Sequence, residues 1–166
     1  MPRRRTLRGT FPKGFGMTNA IRLQLNNGDF TSNWRVIGFN VFPNMGRLSG
    51  NIGAYNTATQ NNQLVHVALA LELSGITTAK YEFADSRQIA WFSGHGIADP
   101  DNYRTHLDLE HIVIQDLWLG AYAVDVDSNI TQTLSVELNY SVEIEEVTST
   151  MNEAVMQLIK ERSQDV

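Results

Sequence analysis

Residues 131–147 (TQTLSVELNYSVEIEEV) alternate apolar and polar side chains over most of their length. Leu134, Val136, Leu138, Tyr140, Val142 and Ile144 fall on one side. Ser135, Glu137, Asn139, Ser141, Glu143 and Glu145 fall on the other. An extended chain sorts residues this way, because its successive side chains point to opposite faces. A strand with one dry and one wet face belongs to a sheet covered on one side, the usual antiparallel case. This segment therefore commits the chain to a layered β structure, with a second apolar surface to cover the first.

The rest of the chain repeats the theme. Ile21–Leu25 alternates strictly, and Asn26-Asn27-Gly28-Asp29 follows as a turn, since Asn-Gly favours positive φ. Trp34–Phe42 is a second strand, rich in β-branched and aromatic residues, closed by Pro43-Asn44. Residues 43–62 read as loop with one short strand near Ser49–Tyr55. In Gln63–Leu73, Val65, Val67, Leu69, Leu71 and Leu73 share a face opposite His66, Ala68, Ala70 and Glu72. That period of two favours a strand over a helix, and Ser74-Gly75 ends it. Ala79–Phe83 and Gln88–Phe92 read as short strands about a turn at Asp85-Ser86, and Gly94–Tyr103 as a loop. His111–Val126 reads as one long apolar strand ending at Asp127-Ser128-Asn129.

The period changes only at the end. Thr150 and Glu153 match a capping box. Met151, Val155, Leu158, Ile159 and Arg162 then recur at helical spacing, which predicts a short amphipathic helix. Roughly seven or eight strands without intervening helices exclude parallel βαβ units. The expected fold is all-β, an antiparallel two-sheet β-sandwich.

The composition fits such a core and excludes much chemistry. Apolar residues are 42% of the 166, and there is no cysteine. A disulfide scaffold, cysteine-ligated zinc, iron–sulfur clusters and a cysteine nucleophile are therefore excluded. No apolar run approaches the roughly 20 residues of a membrane helix. The start, MPRRRTLRG, lacks the apolar stretch of a signal peptide.

Catalytic and metal patterns are weak. No P-loop, Gly-x-Gly-x-x-Gly or Gly-x-Ser-x-Gly motif occurs. Ser93 and His95 are neighbours in sequence, which is not how catalytic partners usually lie. His106, Asp108 and Glu110 would share a strand face as a candidate divalent site, but a solvated polar face explains them better. The His-x-His pair of a metal cupin is absent. Asp125–Asn129 resembles the opening of a calcium loop, yet Ile130 and Val136 stand where Gly and Glu are required. Asp99-Pro100-Asp101-Asn102 is explained by turn chemistry. Trp34, Trp91 and Trp118 lie inside apolar runs, so core or subunit contacts are expected of them rather than ligand stacking. The sequence predicts no enzyme activity, no metal, no cofactor and no small-molecule substrate.

The charge is uneven. Residues 1–14 hold Arg3, Arg4, Arg5, Arg8 and Lys13 and no acid; residues 15–166 hold 8 basic and 18 acidic residues, a net −10. The expected organisation is a basic N-terminal arm (1–17), a β-sandwich (18–148) and a C-terminal amphipathic helix and tail (149–166). The five cations are the candidate contact with nucleic acid or with a neighbouring subunit. Leu7, Phe11 and Phe15 ask for something to pack on, and a neighbouring copy is the simplest candidate. On this reading, removal of residues 2–14 impairs assembly and leaves the fold intact.

The Arg-rich arm Met1-Pro2-Arg3-Arg4-Arg5 ahead of a cysteine-free, sandwich-sized body resembles small single jelly-roll coat proteins of viruses. The stretch Asn139-Tyr140-Ser141-Val142-Glu143-Ile144-Glu145-Glu146, followed by Asn152-Glu153-Ala154-Val155, is similar to the ends of capsid-like proteins from phages of aquatic bacteria. The resemblance implies a jelly-roll sandwich and a self-assembling capsid or minor capsid subunit. Such a subunit is made in the host cytoplasm and resides in the virion. Its partners are its own copies, other virion proteins and, through the arm, non-specific nucleic acid. The alternative is a carbohydrate- or receptor-binding β-sandwich, such as a virion spike or lectin.

Overall fold

The alternating segments become strands wherever one of their faces meets the core. A computed structural model describes residues 2–26, 28–29, 31–43, 63–77, 82–95, 103–125, 130–135 and 137–162. Its strands are β1 (Arg4–Phe11), β2 (Ile21–Leu23), β3 (Ser32–Pro43), β4 (Gln63–Ala70), β5 (Gln88–His95), β6 (Tyr103–Leu107), β7 (Leu117–Asp125), β8 (Ile130–Gln132) and β9 (Leu138–Thr148). Two helices, α1 (Ser74–Thr77) and α2 (Met151–Arg162), complete the described elements. β1, β9 and β3 form a small sheet in that order; β2, β7, β4, β5 and β6 form a larger one, with β8 also on β7. All pairings are antiparallel. β4 lies along one edge of β7, while β2 and β8 share the other edge end to end. The antiparallel two-sheet sandwich expected from the sequence is the fold found.

The core lies between the sheets. Val36, Phe39 and Val41 of β3, the alternating row Leu138 to Ile144 of β9 and Phe11 of β1 come from the small sheet. Val65, Val67 and Leu69 of β4, Phe92 of β5 and Leu117 to Ala123 of β7 meet them from the large one. Burying a side chain of this size contributes about 1.5–3 kcal/mol. β3 keeps its register with a bulge: Val36 opposes Ile144 but Gly38 opposes Glu143, so Ile37 is the extra residue. The bulge turns both Val36 and Phe39, three positions apart, toward the core.

A second small cluster covers the outside of the large sheet. α1 lays Ile76 over Ala68, Ala70 and Trp91. Gly120 is glycine because Ile76 occupies the space a Cβ there would need. The outward face of β4 is therefore partly dry, as its two alanines hint.

Several elements differ from the sequence expectation. The segment 131–147 is two strands in two sheets: β8 pairs with β7 and β9 with β1 and β3. Leu134 sits at the crossing, 1% exposed, donating to the Phe15 carbonyl at 2.7 Å and accepting from the Gly14 amide at 2.8 Å. Alternation carries through such a crossing unbroken, so it does not reveal it. The strand expected from His111 starts only at Leu117, because Asp116 turns its carboxylate to the backbone of Leu25 and Asn26. Val113 instead forms a lone bridge to Trp34. Glu82 and Phe83 lie in a turn rather than in a strand. The short strand expected near Ser49–Tyr55, the aspartates at 99 and 101, and Val136 lie outside the described residues.

The basic segment is also different from a free arm. Arg4–Phe11 pairs along its whole length with the chain's own β9, from Arg4 opposite Glu145 to Phe11 opposite Leu138. Phe11 is fully buried and meets Phe15 and Tyr140, with ring centroids 5.1 and 5.2 Å away. The apolar groups of this segment, Leu7, Phe11 and Phe15, pack on the chain's own core. Removing residues 2–14 would therefore take a strand and a core phenylalanine from the sandwich.

Candidate interaction surface

β1 is an edge strand, so its outward edge carries backbone groups that no strand among the described residues pairs. Alternation sends Arg4, Thr6, Arg8 and Thr10 to the outer face of the small sheet and Arg5, Leu7, Gly9 and Phe11 to the inner side. Arg3, Arg4, Arg5, Arg8 and Lys13 are all exposed. Arg4 reaches Glu145 across the ladder, 3.2 Å away, a solvent-facing pair of small energetic weight. The Arg5 guanidinium lies 5.2 Å from the ring of Trp34. Arg3, Arg8 and Lys13 make no ion pair among the described residues. The result is a cationic rim on a hydrogen-bonding edge strand paired along its length with β9.

Each of the three tryptophans has a neighbour against its ring, but Trp118 is only half-buried. Arg5 lies over Trp34, Phe83 stacks on Trp91 with centroids 4.6 Å apart, and the Arg22 guanidinium sits 5.7 Å from Trp118. Trp34 and Trp91 are buried, as expected of core residues.

The histidines do not converge. His111 is buried, and its Nε2 accepts from the Val36 amide at 3.4 Å. Burial pulls its pKa down, against the opposing pull of the Asp108 backbone and charge. His66, also lowered by burial, stacks on Tyr122 at 5.2 Å on the outside of the large sheet. His106 is exposed and meets Phe83 edge-on. β6 ends at Leu107, so His106, Asp108 and Glu110 do not share a strand face; Asp108 instead accepts from the Glu110 amide at 2.9 Å. No group of three metal-ligating side chains occurs among the described residues. No helix among them is long and apolar enough to cross a membrane.

Two features escaped the sequence reading. One is Asp116, which caps the turn after β2 through Leu25, Asn26 and Arg22. An acid within a mostly apolar run, as in Ile114-Gln115-Asp116-Leu117-Trp118, is the only hint. The other is the exposure of the apolar stripe of α2, which carries no sequence signature at all.

No model of a known protein family matches the sequence, and no curated protein matches it. Solved structures do. VP1 of Merkel cell polyomavirus, in complex with disialyllactose, superposes with a TM-score of 0.50 over 86% of this chain and 94% of that one, at 7% identity. Apo VP1 of chimpanzee polyomavirus gives 0.49 over 89% and 96%, at 8% identity. Identity this low speaks for the fold alone. The chain is an all-β protein of the jelly-roll class seen in viral capsid proteins.

Proposed function

We propose that this chain is a structural virion protein, a self-assembling capsid or minor capsid subunit rather than an enzyme. The observation that carries the reading is the whole-chain match of its two-sheet fold to a capsid protein, with most of both chains superposed. The cationic rim supports it. Arg3, Arg4, Arg5, Arg8 and Lys13 would meet a neighbouring subunit's acidic body or the genome, since the remainder of the chain is net negative. Against phosphates, a handful of cations gives salt-sensitive, sequence-independent binding. Partners on this reading are copies of the chain, other virion proteins and non-specific nucleic acid. Its place is the virion, after synthesis in the host cytoplasm.

The test is sedimentation velocity of the purified chain at 260 and 280 nm, in low and high salt. A large closed species is expected. Excess 260 nm absorbance lost in high salt would assign the rim to nucleic acid; a clean large species would assign it to neighbouring subunits. A monomer at all concentrations would overturn the reading.

A second reading, a carbohydrate- or receptor-binding sandwich, is favoured by one observation: the superposed VP1 was solved with disialyllactose. The burial of Trp34 and Trp91 counts against stacking of a sugar on either of them. Glycan-array binding by a small, non-shell species would decide for this second reading.

A further inference from the structure

The free edge of β1 is defined by the backbone groups that β9 does not use. The Glu146 amide donates to the Arg3 carbonyl at 2.8 Å, so Arg3 and Glu146 form a hydrogen-bonded pair. In an antiparallel ladder such pairs alternate with non-bonded ones. The register runs unbroken from Arg4 opposite Glu145 to Phe11 opposite Leu138. Arg5, Leu7, Gly9 and Phe11 therefore direct their amides and carbonyls to β9. Arg4, Thr6, Arg8 and Thr10 turn theirs away from it. All four of these residues are exposed, and no strand among the described residues pairs on that side. Pro2 and Pro12 bracket the row.

We propose that this edge binds an extended, acid-bearing segment of a partner protein, which joins the small sheet as a strand beside β1. Three features select that occupant. The row alternates donors with acceptors, and a peptide strand satisfies both kinds. A phosphate backbone can accept from the amides but leaves the carbonyls facing its negative charge. The side chains along the row are cationic: Arg4 and Arg8 stand on the outer face, with Arg3, Arg5 and Lys13 close by in the chain. These like charges oppose the β1 edge of a second copy, which is how exposed edges are kept from pairing with themselves. The filled edge of β1 already shows the match. β9 sets Glu145 opposite Arg4 and Glu143 opposite Thr6, and Arg4 meets Glu145 at 3.2 Å. An added strand with acids four residues apart on one face places one opposite Arg4 and the other opposite Arg8.

The proposal narrows the partner of the cationic rim to protein and in that respect deepens the reading above and rests on it. The strand addition itself needs no shell, so the two can fail separately.

The probe is a short extended peptide with two glutamates four residues apart and a fluorophore at one end, offered to the full-length chain in low salt. Anisotropy reads binding, and residue-resolved amide exchange reads the contact. The peptide is expected to bind and to slow exchange at Arg4, Thr6, Arg8 and Thr10. Arg5, Leu7 and Gly9, already bonded to β9, should stay as they were. Methylating the peptide nitrogens that face β1 keeps the charge and removes the donors, and is expected to weaken binding roughly tenfold. Lysine in place of both glutamates should abolish it. Slow exchange at the four amides in an assembled chain without peptide would support the same contact, with the strand supplied by a neighbouring subunit. Equal binding by the methylated peptide would overturn strand addition. So would a single-stranded oligonucleotide that binds more tightly than the peptide and leaves the four amides exchanging freely. Peptide capture with protected amides, by a chain that otherwise sediments as a monomer, would uphold the contact and remove the shell. Shells whose four amides exchange freely with or without peptide would keep the shell and remove the contact.

Discussion

The ring of Tyr140 lies against Gly9, its partner across the β1–β9 ladder, in the space where any Cβ at position 9 would have to sit. A glycine usually weakens a strand. Here its lack of a side chain lets an aromatic ring from the neighbouring strand lie over the backbone. The contact identifies β1 as a built part of the sandwich.

Gly9→Val should therefore loosen β1 from β9. A valine favours extended backbone, but the collision with Tyr140 outweighs that gain, and overpacking of this kind costs about 1–3 kcal/mol. Hydrogen exchange of residues 4–11 and trypsin cleavage at Arg4, Arg5 and Arg8 should both accelerate. Unchanged protection would mean that Tyr140 swings aside at no cost.

How much of this was legible follows from what a local pattern records. Alternation placed Leu138, Tyr140, Val142 and Ile144 on the dry face and Glu143 on the wet one, because burial alternates residue by residue. The capping box was equally readable: the Thr150 amide and hydroxyl donate to Glu153 Oε2 at 2.8 and 2.9 Å. Partners across long separations were not. Nothing near residue 9 says that residue 140 waits for it, so charge alone made the first strand look like an arm. Spacing puts Met151, Val155 and Ile159 on one stripe of α2 with Leu158 and Arg162, yet Leu158 is half-buried while the first three are exposed, because which side of a helix meets the body depends on where the body stops. The cationic residues were found by composition; the pairing of Arg4 with Glu145 was not.

The register of β9 can be tested by substituting adjacent residues. Val142 is fully buried and Glu143 is exposed. Val142→Asp places a carboxylate in the core and should cost upwards of about 4 kcal/mol, enough to leave little folded protein. Glu143→Gln should stay within about 0.5 kcal/mol of the parent in urea denaturation. Similar losses in both would shift the strand by one residue.

The turn before β5 holds a charge pair away from solvent. Arg87 grips Asp85 with two bonds, Nε to Oδ1 at 2.9 Å and Nη2 to Oδ2 at 3.0 Å, and donates to Ser74 Oγ at 3.0 Å. Gln88 links the same corner to α1 by donating to the Gly75 carbonyl at 2.8 Å. Arg87→Leu leaves the Asp85 carboxylate buried without its cation, a loss of about 3–5 kcal/mol. Replacing both residues with apolar ones of similar volume should recover most of that. If the single change were silent in denaturant unfolding, the pair would be ornamental to the fold.

Asp116 links stability to pH. Burial alone would raise its pKa, but bonds from the amides of Leu25 and Asn26 and from Arg22, whose guanidinium lies 2.5 Å away, outweigh burial and lower it. A carboxyl depressed on folding adds stability above its unfolded value, about 3.9, and loses it as the pH falls through the folded value. The chain should thus weaken progressively below about pH 4, with Asp116 among the causes. Asp116→Asn keeps the shape but presents a weaker acceptor to two amides and leaves Arg22 unpaired. It should cost about 1–3 kcal/mol at neutral pH and flatten the acid limb of the stability curve. Urea unfolding of both proteins at pH 3, 5 and 7 reads this directly; parallel curves would mean that Asp116 is not among the groups that bind protons on acid unfolding.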